Sequence, residues 1–229
     1  EGKASHLKLN KYHFSVIEEL YILRDEEELS FKLEEKYEKL KENHFIEQIE
    51  APEHLQHILR PYQTSGFQWL NYLSEVQWGG ILADDMGLGK TIQALSFLHY
   101  LRKKNDILKA LVVCPTTLMY NWENEIKKFT PSLTYYIHHG GARTKDKLSD
   151  PKIDVIINTY GTQRNDIKQF IEVAFDYVIL DESQAIKNPA SKVAKAEALL
   201  TAKNRHCMSG THLQNNTFDM YAQMNFLNP

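Results

Sequence analysis

With 229 residues, 42% of them hydrophobic, the chain is long enough to bury a full core and too apolar for a disordered or fibrous polymer. Its formal charge of −3 excludes a globally basic nucleic-acid binder, so any such contact must come from local charge and backbone donors. The two cysteines, Cys114 and Cys207, each lie in an apolar run and fit small buried thiols in a reducing compartment, not a disulfide framework.

No apolar stretch approaches about 20 residues, and the N-terminus lacks the basic-then-apolar order of a signal peptide. The expectation is an intracellular protein without a membrane partner: cytoplasm or nucleoid in a prokaryote, nucleus in a eukaryote. Because it starts at Glu1 and stops at Pro229 just after an amphipathic stretch, the chain reads as a piece of a longer protein.

Residues 1–58 carry 14 acidic against 8 basic side chains, whereas residues 59–229 carry 16 against 19. The leading segment is therefore an acidic appendage and the remainder a mildly basic domain. Between Asp25 and Glu42, Leu29, Leu33, Tyr37 and Leu40 recur at helical spacing, which predicts one amphipathic helix. The stripe is too short for a coiled coil. It suits a solvated helix packed on its neighbour, and a protein partner for 1–58 stays open as the alternative.

From residue 79 short β-rich runs alternate with helical stretches. The predicted strands are Gly80–Ala83, Ala110–Cys114, Thr134–His138, Asp154–Thr159, Tyr177–Leu180 and His206–Ser209; the predicted helices include Thr91–Arg102, Leu118–Phe129 and Ser191–Leu200. Strands separated by helices imply right-handed crossovers and an α/β fold whose mostly parallel sheet is covered on both faces. In such sheets ligands sit at the carboxyl ends of the strands.

The first strand runs into Asp84-Asp85-Met86-Gly87-Leu88-Gly89-Lys90-Thr91 and then a helix. Gly87 and Gly89 permit backbone conformations closed to other residues, so successive N–H groups can point inward around an anion at the positive end of the helix. Lys90 would reach β- and γ-phosphates, and Thr91 would place its hydroxyl on a magnesium ion. The strict phosphate-loop pattern has glycine where this chain has Asp84.

The fifth strand ends on two adjacent acids, Asp181 and Glu182. A buried strand gains nothing from that ending. Nucleotide hydrolysis does: Asp181 would hold magnesium while Glu182 orients or deprotonates the attacking water. An acidic pair favoured by a following helix dipole is the plainer alternative.

Asp84 to Thr91, together with Asp181-Glu182-Ser183-Gln184 and Leu59-Arg60-Pro61-Tyr62-Gln63, closely resembles the Swi/Snf family of superfamily-two helicase-like ATPases. Cys114-Pro115-Thr116, Asn121-Trp122, Asn158-Thr159-Tyr160 and Ser209-Gly210-Thr211 follow in family order. The resemblance covers about residues 59–229 and implies the first of two RecA-like lobes, with ATP and Mg as cofactors. It further implies that Gln63 helps recognise adenine, that Pro115, Thr116, Thr117, Thr159 and Tyr160 touch the backbone of double-stranded DNA, and that Gln184, Ser209 and Thr211 couple hydrolysis to lobe movement. Hydroxyls and N–H groups at helix starts bind phosphates without reading sequence, which suits such contacts. A second lobe, absent here, would supply an arginine finger, so the isolated lobe should hydrolyse ATP weakly or not at all. Two departures stand out: His212 replaces the usual proline, and Ser183 the usual alanine or glycine.

Other features are read as structural. His138 and His139 are adjacent on an extended segment, so their side chains point to opposite faces. Arg102-Lys103-Lys104 closes a predicted helix, where its dipole favours cations. The expected function is the ATP-binding and hydrolysing lobe of a duplex-stimulated translocase that remodels protein–DNA contacts. A strand-separating DNA or RNA helicase, or a scaffold lobe with weakened hydrolysis, remains as the alternative.

Overall fold

Alternation of side chains along fully buried strands decides the architecture. Ala110, Val112 and Cys114 pack into one apolar cluster while Leu111 and Val113 pack into another, so the strand must be covered on both faces. The computed structural model describes residues 48–85, 87–141, 143–186, 188–210 and 223–228, all within one compact unit. The helix expected over 25–42, as well as Met86, Thr211 and His212, lies outside the described residues.

Six strands, β1 (Gly80–Leu82), β2 (Ala110–Cys114), β3 (Tyr135–Ile137), β4 (Val155–Thr159), β5 (Ala174–Leu180) and β6 (Thr201–Met208), form one sheet in the order β1-β6-β5-β2-β4-β3. Every pairing is parallel. This is the RecA-like α/β arrangement, and the expectation of a mostly parallel sheet is exceeded. The fully buried β2 lies between β4 and β5, with Val113 level with Asn158 on one side and Leu180 on the other.

One face is covered by α1 (Glu53–Gln56), α2 (Pro61–Glu75), α3 (Lys90–Asn105) and α4 (Met119–Phe129). They bury Leu55, Phe67, Leu95, Leu98, Trp122 and Ile126 against the sheet. Ala51 and Leu55 belong to this same core, so the segment before residue 59 contributes to the domain's packing. On the opposite face α6 (Tyr160–Phe170) and α7 (Lys192–Ala198) pack with the short α5 (Asp146–Ser149), where Leu148, Tyr160, Phe170 and Ile186 are buried.

Helix ends follow local chemistry. Pro61 opens α2, where its missing N–H costs nothing, and the Gln63 side chain turns back to accept from the Arg60 N–H at 3.0 Å. Arg102 near the end of α3 does not simply project into water: its Nε donates to Asp154 at 2.8 Å. His138 is buried and His139 exposed, as their adjacency on an extended segment requires; His138 Nε2 lies 3.0 Å from Asp166. Both cysteines are free and buried, and burial pushes each thiol up to about 12, which makes them inert fillers of the core. No described helix is long and apolar enough to cross a membrane.

Candidate active site

Because all six strands run the same way, the segments that follow β1, β2, β4, β5 and β6 emerge at one edge of the sheet. The parallel topology therefore gathers motifs that are far apart in sequence. The β1–α3 loop provides the cradle. Gly87 and Gly89 both adopt left-handed backbone, with φ 83° and 78°, and Gly89 caps the N-terminus of α3. Glycine is required there by conformation, and a Cβ would also meet Gln63 Nε2 at 2.4 Å and push that amide off the Leu88 carbonyl.

Lys90 begins α3 and is buried; its Nζ donates to the Asp84 carbonyl at 2.7 Å and the Asp85 carbonyl at 3.2 Å. Both partners are neutral. Among the described residues it is paired with no carboxylate, so its charge stays available to an anion seated in the loop. Thr91 follows in the first turn, half-buried at the positive end of the helix.

Asp84, the residue in place of the usual glycine, is used by the fold: its carboxylate accepts from Gln93 Nε2 at 2.9 Å. Gln93 also donates to the Gly89 carbonyl at 3.3 Å, tying both ends of the loop to the first turn of α3. Gln63 ties the loop from α2, donating to the Leu88 carbonyl at 2.9 Å, and the neighbouring Tyr62 hydroxyl donates to the same oxygen at 3.0 Å. Both ends of the Gln63 amide are thus engaged by backbone, one at Arg60 and one at Leu88. Leu88 itself is exposed, so the loop is held by its backbone and not by burial of its side chains.

At the end of β5 every polar atom of Asp181 is occupied. Its N–H donates to the Val113 carbonyl at 2.8 Å, its carbonyl accepts from the Tyr160 hydroxyl at 2.8 Å, Oδ1 accepts from the Glu182 N–H at 3.0 Å, and Oδ2 accepts from Trp122 Nε1 at 2.9 Å. Each carboxylate oxygen keeps a second lone pair. Burial lifts the Asp181 carboxyl above the ordinary range and the adjoining Glu182 charge adds to this, while the Trp122 hydrogen bond and the field of Lys90 oppose it.

Glu182 sits in left-handed backbone with φ 50°, a conformation that costs a non-glycine residue on the order of 1–3 kcal/mol. The turn directs its carboxylate to Gln184, whose Nε2 donates to Oε2 at 2.6 Å. Ser209 Oγ in turn donates to Gln184 Oε1 at 3.4 Å, and the Ser209 N–H bonds the Leu82 carbonyl at 3.2 Å. Ends of β5, β6 and β1 are thus linked through Gln184 and Ser209. Ser183, the second departure, is fully buried and accepts from Gln223 Nε2 at 3.0 Å, so its hydroxyl has structural use.

Residues expected to touch a duplex divide in two. Thr116 and Thr117 are exposed and Pro115 half-buried, just before α4. Thr159 and Tyr160 are turned inward. The Thr159 hydroxyl caps α6, accepting from the Thr162 N–H at 3.3 Å, and the Tyr160 hydroxyl is spent on Asp181. Their side chains present no free group to a phosphate, because each already satisfies a donor or acceptor of the fold. Trp122, Gln93 and Tyr160 are the site-supporting residues whose roles the sequence reading missed. The Asn121-Trp122 and Asn158-Thr159-Tyr160 motifs marked two of them without indicating their partners.

The SNF2-related domain matches residues 62–229. The chain is 37% identical over 187 residues to the TATA-binding protein-associated factor MOT1 of Saccharomyces cerevisiae, covering 75% of this chain and 10% of that protein. It is 37% identical over 186 residues to the ISWI chromatin-remodeling complex ATPase ISW1 of the same yeast, covering 79% and 16% respectively. The chain therefore spans a small part of the relatives it matches. A solved structure, the Sulfolobus solfataricus SWI2/SNF2 ATPase core in complex with dsDNA, superposes with TM-score 0.69 at 38% identity, over 75% of this chain and 36% of that one. A glycine loop, an acid pair and a RecA-like sheet stand within the matched span, and the chain belongs to the SNF2-related family.

Proposed function

We propose that this chain is the nucleotide-binding first lobe of an intracellular, double-stranded-DNA-stimulated ATPase that moves along duplex DNA and remodels protein–DNA contacts. The observation that carries the reading is the buried Lys90 ammonium, held by neutral carbonyls in a glycine loop at the same sheet edge as the Asp181–Glu182 pair. The similarity to a SWI2/SNF2 core described with dsDNA supports the choice of polymer.

The donor set fits ATP and magnesium. Backbone N–H groups around Gly87 and Gly89 cradle phosphate oxygens, Lys90 meets the β- and γ-phosphates, and Thr91 with Asp181 would hold the metal. Magnesium, when bound, neutralises charge on the phosphates. Glu182 receives the proton of the attacking water, with Gln184 fixing its carboxylate. Gln63 acts first on the loop, through Leu88, and its proposed part in adenine recognition works from that position. Duplex backbone is contacted by Pro115, Thr116 and Thr117 and by backbone donors at the start of α6 beside Thr159 and Tyr160. Gln184, Ser209 and Thr211 couple the acid pair to movement of a second lobe.

Two substitutions in the two-lobe protein test the reading. Lys90→Ala should weaken ATP binding about tenfold or more, as expected for loss of a charge-assisted phosphate contact. Glu182→Gln should leave binding within about twofold and lower turnover by roughly 10²–10⁴. Unchanged turnover in Glu182→Gln would remove its role in water activation, and unchanged ATP affinity in Lys90→Ala would remove the cradle.

A further inference from the structure

Asp181 is gripped from both faces of the sheet. Trp122 belongs to the apolar cluster on the α2–α4 face and Tyr160 to the cluster on the α6–α7 face, yet their polar atoms converge on this one residue. Trp122 is fully buried and its indole N–H donates to Oδ2 at 2.9 Å; Tyr160 is 9% exposed and its hydroxyl donates to the backbone carbonyl at 2.8 Å. The first grip orients the carboxylate and the second fixes the chain that carries it.

Both aromatics stand at the start of a helix. Trp122 lies in the first turn of α4, five residues after the exposed Thr117, and its backbone N–H donates to the carbonyl of Leu118, the residue that follows Thr117, at 3.0 Å. Tyr160 is the first residue of α6, directly after its cap Thr159. A displacement of either helix start moves a donor on Asp181, because buried aromatic rings in a close-packed interior do not shift independently of their backbone. An indole N–H needs some acceptor when buried, and a nearby carbonyl would satisfy it. Here it is satisfied by the acid assigned to magnesium, and the same acid is also the acceptor for the second helix.

We propose that Trp122 and Tyr160 are paired positioning residues that transmit duplex occupancy at the starts of α4 and α6 to the magnesium-binding geometry of Asp181. This rests on the nucleotide and duplex sites proposed above. By linkage, duplex that tightens the two grips must increase magnesium-dependent nucleotide affinity, and the reverse must hold equally.

The test is a magnesium titration of a fluorescent ATP analogue on this chain, with and without a short DNA duplex, in parallel with duplex binding measured alone. In the unsubstituted chain duplex should lower the magnesium midpoint about fivefold or more. Trp122→Phe and Tyr160→Phe should each reduce that shift below about twofold at a duplex concentration that saturates each variant, while magnesium-free analogue binding remains within about twofold. Tyr177→Phe removes a buried hydroxyl bonded to Ser74 and Asn204 elsewhere on the sheet and should keep the full shift. If Trp122→Phe does not fold, Tyr160→Phe carries the test alone. Retention of the shift in both variants, or its loss in Tyr177→Phe as well, overturns the proposal. Absence of the shift in an unsubstituted chain that binds analogue and duplex also overturns it. A chain that binds neither overturns the functional reading on which it rests.

Discussion

Asp84 shows how one side chain can alter a familiar loop without dismantling it. The carboxylate stands where the strict pattern has glycine, and it accepts from Gln93 at 2.9 Å, while its carbonyl accepts from Lys90 at 2.7 Å. Asp84→Ala and Gln93→Ala should each weaken nucleotide binding a few-fold, consistent with loss of about 1 kcal/mol of hydrogen bonding. The double variant should be little worse than either one, since both remove the same contact. Additive losses in a nucleotide titration would mean that the two act separately. Lys90, Thr91, Asp181 and Glu182 were legible in the sequence because their chemistry is local: glycine spacing, a helix start, a strand ending on acids. Gln93, Trp122 and Tyr160 were not, because their meaning lies in partners 9, 59 and 21 residues away.

At the scale of elements, approach between α2 and α3 is set by Gly66. A Cβ there would stand 1.8 Å from Gln93 Oε1, so Gly66→Ala must displace the Gln93 side chain from the loop. The expected result is nucleotide binding as weak as in Gln93→Ala, with a folded protein, because the displaced group is the end of a flexible side chain. Unchanged affinity in the same titration would show that Gln93 reaches Asp84 by another rotamer. The apolar strand cores were legible by their hydrophobic runs, and β2 matches its predicted bounds. The start of β6 was not: Thr201-Ala202-Lys203-Asn204-Arg205 is largely polar, and its extended form comes from pairing with β5, Ala174 opposite Thr201 and Phe175 opposite Ala202. Likewise α2 and α6 were not among the named helices. Pro61 in α2 and Gly161 in α6 both stand at helix starts, where proline or glycine does little harm.

For the molecule as a whole, buried ionisable groups predict a stability optimum. Glu197 is fully buried, its two carboxyl oxygens have no hydrogen-bond partner among the described residues, and burial raises it to about 8 against the attraction of Arg205. The folded state holds this proton more tightly than the unfolded state. Its contribution is therefore complete below the ordinary glutamate range and is lost as pH rises through about 8. His206, enclosed by Phe97 and Tyr177, is lowered by burial to about 3, so its contribution is present above about 6.5 and is lost as pH falls toward 3. Opposed losses place the maximum in the mildly acidic range, between the ordinary glutamate value of 4.5 and the ordinary histidine value of 6.5, where the two slopes cancel. Glu197→Gln should match the unsubstituted chain in Tm at pH 4 and exceed it by several degrees at pH 9, a gap on the order of a few kcal/mol. Equal Tm values at pH 9 would mean that Glu197 is ionised without penalty.

The same scale holds the central functional claim, that a glycine cradle, a buried lysine and a doubly gripped acid serve a duplex-stimulated motor. Steady-state ATP hydrolysis by the two-lobe protein, with no nucleic acid, duplex DNA, single-stranded DNA and RNA in parallel, tests it most directly, with the 229-residue chain alongside. Strong stimulation by duplex DNA in the two-lobe protein and little turnover by the chain alone are expected. Equal or greater stimulation by a single strand or by RNA, or vigorous duplex-stimulated hydrolysis by the chain alone, would contradict it.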